Sequence, residues 1–215
     1  MEKPNNQAEA INKGTAALLI IDMQNDSLHN DGYLAKLAKI SDTKFNLEFR
    51  RSAIPGIRKL AHAFREMGIA VVYCQTSVER DWSDSGMPRA LSRPQDIGLT
   101  YFVRGSWGVQ IVDELAPTEK DYVVIAKCYN KFLYSALELY LRNKTIDTLI
   151  FTGVGTNACV QSTLRAAADL GFRTIVATDA TAAKSPEIHK TALRDIQTAS
   201  VGELLTSEAI LKLIQ

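Results

Sequence analysis

Residues 152–171 read TGVGTNACVQSTLRAAADLG, and the apolar run TLIFT (148–152) leads directly into them. A buried strand, a glycine turn and a helix stopped by Gly171 make one β-α unit, which points to an α/β fold. The chemistry of the turn has two readings. As Gly153-Val154-Gly155-Thr156-Asn157-Ala158 it matches the G-x-G-x-x-G/A turn that holds a dinucleotide pyrophosphate on backbone amides. Taken from Cys159, it sets a thiol at a helix N-terminus, where the partial positive charge lowers a cysteine pKa and makes a nucleophile.

Outward from this unit the same alternation repeats. Apolar runs stand at 16–21 (AALLII), 69–74 (IAVVYC), 122–126 (YVVIA) and 174–178 (TIVAT), with a weaker sixth at 199–203 (ASVGE). Their apolarity is continuous rather than alternating, so both faces are covered, as in a parallel sheet. Helical spacing links Ile54, Ile57, Leu60, Ala61, Phe64 and Met67, with Ser52 as N-cap and Gly68 as stop. Further helices fit FLYSALELYLR (132–142) and the segment opened by Ser185-Pro186. The expectation is a doubly wound, Rossmann-like, mostly parallel six-stranded sheet with helices on both faces. It forms a single domain over 15–215 behind a flexible leader, 1–14.

Composition narrows the partners. With 215 residues, 46% of them hydrophobic, the chain can bury one full core. Lys+Arg number 25 against 24 Asp+Glu, so nothing in the charge favours a nucleic acid, and a small-molecule substrate is the expected partner. Cys74, Cys128 and Cys159 are far apart and odd in number, which suggests neither a disulfide framework nor a zinc site and fits a reducing, cytoplasmic setting. No stretch approaches the roughly 18 apolar residues of a membrane span.

Two segments, 25–51 and 76–108, exceed ordinary loops and follow the C-terminal ends of strands, the edge where open α/β sheets bind ligands. Three chemically capable residues sit on that edge: Asp22 after the first run, Lys127 after the third and Cys159 after the fourth. Each alone is an ordinary turn or core residue. Together they suit nucleophilic catalysis. Lys127 and the helix terminus favour an unusually acidic Cys159, Asp22 moves its proton, and the amides of the turn from Gly155 to Cys159 hold an oxyanion.

LLIIDMQND, AKCYNKF and FTGVGTNACVQSTLRAAADLGF together resemble the isochorismatase-like cysteine hydrolases, a family of nicotinamidases, carbamoylsarcosine, biuret and ureidoacrylate amidohydrolases, and isochorismatases. The resemblance implies that Asp22, Lys127 and Cys159 are catalytic, that Gly155 and Cys159 form the oxyanion hole, and that Val154-Gly155 is a non-proline cis peptide. It also implies a homodimer or homotetramer. GSWGVQIVDEL (105–115) and GYLAK (32–36) look most like the ureidoacrylate amidohydrolase branch, which implies a small linear ureido, carbamoyl or amide substrate cleaved through a thioester. Gln75, Arg80, Trp107 and Tyr129 are the expected substrate contacts, and Arg80, Arg89, Arg93 and Arg104 would favour a substrate carboxylate.

The chain departs from the family pattern at two places. Nicotinamidases carry an Asp-x-His metal motif after the second strand, where this chain reads CQTSVERDW; no metal and no cofactor is expected. One residue fewer separates Lys127 from Phe132 than in the commonest family spacing, which leaves the roles of Tyr129 and Asn130 open. The rival readings are an isochorismatase-type vinyl ether hydrolase, a non-catalytic α/β small-molecule-binding protein, and a dinucleotide-binding protein with Asp179 as its ribose acid.

Overall fold

Residues 9–40, 44–86 and 101–215 are described in a computed structural model of the chain. The apolar runs become parallel strands because burial on both faces leaves their backbone groups to be satisfied only by neighbouring strands. β1 (Ala16–Ile21) is buried along its whole length between β2 (Ala70–Thr76) and β4 (Thr148–Val154). β3 (Tyr122–Ala126) adds to β2, while β5 (Arg173–Ala182) and β6 (Glu203–Leu205) extend the other wing. The order is β3-β2-β1-β4-β5-β6, every neighbouring pair parallel, as the sequence predicts.

Successive strand residues point to opposite faces. Leu18 and Ile20 therefore pack with Ile57, Leu60 and Phe64 of α4 (Ile54–Glu66) and Ile210 of α8 (Ser207–Leu213). Leu19 and Ile21 pack on the other side with Leu141 of α5 (Leu137–Asn143), Leu164 of α6 (Gln161–Asp169) and Ile196 of α7 (Pro186–Thr198). Between β1 and β4 the winding reverses, which opens a crevice at the strands' C-terminal ends. Gly153 lets the two strands close there: at φ 106°, any β-carbon on it would lie 2.1 Å from Ile21 O.

Several local expectations change. β3 is an edge strand, separated from β1 by β2, so the residue that follows it does not start beside Asp22. Ser52 ends a short helix, α3 (Leu47–Arg51), its hydroxyl donating to Phe49 O at 2.7 Å, instead of capping α4. The segment 25–51 is helical over much of its length, with α1 (Asn25–Leu28) and α2 (Tyr33–Ile40) preceding α3. α5 begins at Leu137 because Ser135 Oγ accepts from Leu137 N, at 3.1 Å, and donates to Lys131 O, at 2.5 Å, so 127–136 form a loop. The sixth strand falls at 203–205, not 199–203. The leader is docked from Ile11, which is buried and bridges Ile214; residues 1–8 lie outside the described ones.

Candidate active site

Asp22 leaves β1 at φ 52°, a left-handed conformation that aspartate tolerates better than most residues. Its buried carboxylate is used asymmetrically. Oδ1 accepts from Thr76 Oγ1 at 2.8 Å and lies 2.8 Å from Lys131 Nζ. Lys131 is fully buried, and its ammonium also donates to Thr76 Oγ1 (2.6 Å) and Cys128 O (3.2 Å), which commits all three of its protons. Thr76 is clamped in turn by Gln24, whose side chain bonds both its amide (3.0 Å) and its carbonyl (2.8 Å). Burial works against the Lys131 charge, but Asp22 and Cys159 outweigh it and raise the pKa above that of an ordinary lysine.

The lysine expected beside Asp22 is thus Lys131, not Lys127. Lys127 follows the edge strand β3 and turns outward, to Asp84 Oδ2 at 2.6 Å and Ser77 O at 2.7 Å. The loop after β3 must run back past β2 to reach β1, and four further residues accomplish that. AKCYNKF holds both lysines, and it is the second that the fold brings to Asp22.

Cys159 sits in a turn of π-helix, Thr156–Val160, where Gly155 O accepts from Val160 N at 3.2 Å; such turns recur at functional sites. The Val154-Gly155 peptide is cis, as the resemblance implies. Thr163 ties this turn to the Lys131 loop, donating to Cys159 O at 2.6 Å and accepting from Lys131 N at 3.2 Å. Cys159 and Asp22 line the same cavity. Burial drives the Cys159 pKa up and the neighbouring carboxylate adds to the rise, while Lys131 and Arg50 oppose without prevailing. The expected acidic thiol thus meets an opposing effect, because burial and the adjacent carboxylate both favour the protonated form against the helix terminus and Lys131.

A cavity of about 400 Å³ opens over Cys159, lined by Asp22, Tyr129, Gly155 and Asn157 on the strand side. Tyr33, Arg50, Trp82 and Tyr101 line it from the two long segments, and Lys184 from the chain after β5. Of the expected contacts, only Tyr129 lines it. The Gln75 amide donates to Val109 O at 2.5 Å and supports the chain that follows. Trp107 is 45% exposed and packs edge-on against His29 over a separate groove. Arg80 lies on an open surface with Glu79 and Asp81. Arg104 is paired at 2.7 Å with Glu79, and Arg89 and Arg93 lie outside the described residues. Arg50, Tyr101 and Lys184 carry no mark in the local sequence pattern; tertiary folding alone brings them over Cys159.

Asp179, the acid required by the dinucleotide reading, is occupied elsewhere: its carboxylate accepts from Ser207 N (2.7 Å) and Ser207 Oγ (2.6 Å) at the start of α8. Among the described residues, no three His, Cys, Asp or Glu side chains converge as metal ligands, and no helix is long and apolar enough to cross a membrane.

The isochorismatase domain model matches residues 16–209. Over 201 residues the chain is 31% identical to the ureidoacrylate amidohydrolase RutB of Stutzerimonas stutzeri (strain A1501), an alignment covering 88% of this chain and 79% of that protein. A cysteine hydrolase from Pseudomonas syringae pv. phaseolicola 1448A is 25% identical in sequence, with a TM-score of 0.79 over 99% of this chain and 97% of that one. For N-carbamoylsarcosine amidase from Thermoplasma acidophilum the identity is 26% and the TM-score 0.70, over 90% and 96% of the two chains. With strand order, cysteine turn and a match spanning the sheet from β1 into α8 all in agreement, this chain belongs to the isochorismatase family.

Proposed function

We propose that the protein is a cysteine-dependent amidohydrolase acting on a small linear ureido, carbamoyl or amide compound. The observation that carries this reading is that Cys159 and Asp22 line one cavity, with Asp22 Oδ1 already occupied by Lys131 and Thr76. That arrangement leaves Oδ2 as the base. Cys159 Sγ attacks the substrate carbonyl as its proton passes to Asp22, and the amides of the Gly155–Cys159 turn receive the oxyanion. Collapse breaks the C–N bond, and the departing ammonia or amine takes the proton from Asp22. The resulting thioester is attacked by water, which Asp22 deprotonates; the carboxylate or carbamate product leaves and the sulfur is reprotonated. Lys131, with no proton to spare, holds the Asp22 carboxylate in position through these transfers.

The names borne by the relatives, a ureidoacrylate amidohydrolase and an N-carbamoylsarcosine amidase, support a linear ureide or carbamoyl substrate, as does a cavity of about 400 Å³. Ammonia release from ureidoacrylate, biuret, N-carbamoyl-β-alanine and nicotinamide tests the assignment. At least one of the first three is expected to exceed nicotinamide tenfold in kcat/KM, about 1.4 kcal/mol of transition-state preference. Acid-quenched samples should carry an acyl adduct on Cys159 by mass spectrometry. A tenfold preference for nicotinamide, or turnover without an adduct, overturns the reading.

No Asp-x-His stands in CQTSVERDW at the end of β2, and Thr76 there is already bonded within the site. Exhaustive dialysis against EDTA is accordingly expected to leave ureide hydrolysis unchanged. Loss of activity that zinc or manganese restores would refute this.

A further inference from the structure

One cation in the cavity takes no part in the hydrolytic steps. Arg50 ends α3, is 6% exposed, and donates from Nε to Ser27 O at 3.0 Å. Its guanidinium faces the cysteine turn: a β-carbon built on Gly155 would lie 3.5 Å from Arg50 Nη1, and both residues line the cavity. Among the described residues, no carboxylate lies within 4.0 Å of it. The contrast with other sheltered arginines is plain, since Arg65 holds Asp121 at 2.6 Å and Arg173 holds Glu203 at 2.8 Å.

A buried charge left unpaired is costly, and burial here depresses the guanidinium pKa more than its neighbours restore it. Asp22 is the one acid among the described residues lining the cavity, and it is taken by Lys131 at contact distance. Lys184 adds a second cation to the wall. The cavity thus has an excess of positive charge next to the position where a scissile carbonyl must lie. A planar guanidinium with free Nη groups matches a carboxylate better than any neutral group.

We propose that Arg50 is a specificity-determining residue that receives a carboxylate of the substrate, so that the enzyme selects anionic ureides over uncharged ones. This rests on the amidohydrolase reading for its chemistry, but its test has an arm that does not. The kinetic arm compares N-carbamoyl-β-alanine with isopentylurea, in which an isopropyl group replaces the carboxylate. The wild-type ratio of kcat/KM is expected to be about 100 or more, falling to under about 5 in Arg50→Gln and to an intermediate value in Arg50→Lys, with folding checked by circular dichroism. If Arg50 serves only the fold, or stabilises the oxyanion of every substrate, both values fall together and the ratio stays, which overturns the proposal. In the binding arm, calorimetry of N-carbamoyl-β-alanine is run on Cys159→Ala and on Cys159→Ala/Arg50→Gln. Affinity is expected to drop at least tenfold in the double variant, whether or not the wild type hydrolyses any ureide. Equal affinities, or no binding to either, overturn it.

Discussion

Lys131→Met is expected to lower kcat/KM for ureide hydrolysis by about 10³-fold or more, whereas Lys127→Met lowers it by less than about threefold. The two lysines stand four residues apart, and only their surroundings separate them. Lys131 is fully buried, and its three protons go to Asp22, Thr76 and Cys128 O. Its removal leaves the buried Asp22 carboxylate without the counter-charge that positions it as a base. Stranding one member of a buried pair also costs roughly 3–5 kcal/mol of stability, which urea denaturation will register. Lys131→Arg should fail as well, since a planar guanidinium cannot reproduce an ammonium's three bonds in that space. The Lys127–Asp84 pair is partly solvated, so its loss is worth about 1 kcal/mol or less and touches no residue of the cavity wall. A larger kinetic loss at Lys127 than at Lys131 would return the catalytic role to Lys127.

That reversal shows where the sequence stops being legible. Strands buried on both faces announce themselves as continuous apolar runs, and a residue at the end of such a run inherits its position: Asp22 after β1 and Cys159 after β4 are placed by their strands. These two strands are direct neighbours, so proximity follows from fold class alone. Lys131 has no such anchor. It is delivered by a loop whose path is set by Ser135, Thr163 and Cys128, none of which carries a periodic signal. Arg50 is more hidden still, an arginine in a short amphipathic helix whose sequence fits a solvent-facing residue equally well. The upward shift of the Cys159 pKa is illegible for a related reason: a helix terminus can be read from sequence, but the depth of burial that opposes it cannot.

Cys159→Ser is expected to reduce kcat by about 10⁴-fold or more, and the pH behaviour of the wild-type thiol should show how the nucleophile is made. A free cysteine ionises near pH 8.5. In the folded protein the Cys159 pKa is displaced upward, by burial first and by Asp22 second, so the thiol is expected to stay protonated as pH rises through that value. The sign has a direct consequence. A pre-formed thiolate would react faster as its fraction grows, whereas a thiol that hands its proton to Asp22 only during attack gains nothing from added hydroxide. Inactivation by iodoacetamide, and kcat/KM for a ureide, are therefore expected to be flat between about pH 7 and pH 9. Comparing the ultraviolet thiolate absorbance of wild type with that of Cys159→Ser at pH 7 should give no difference. Cys74, its pKa pushed up to about 12 by burial, should add no thiolate signal in the same range. An inactivation profile with a midpoint below pH 7 would reinstate a resting thiolate held by Lys131 and the helix terminus. A midpoint near 8.5 would describe an ordinary solvent-exposed thiol, and the coupled transfer between Cys159 and Asp22 would then have to be abandoned.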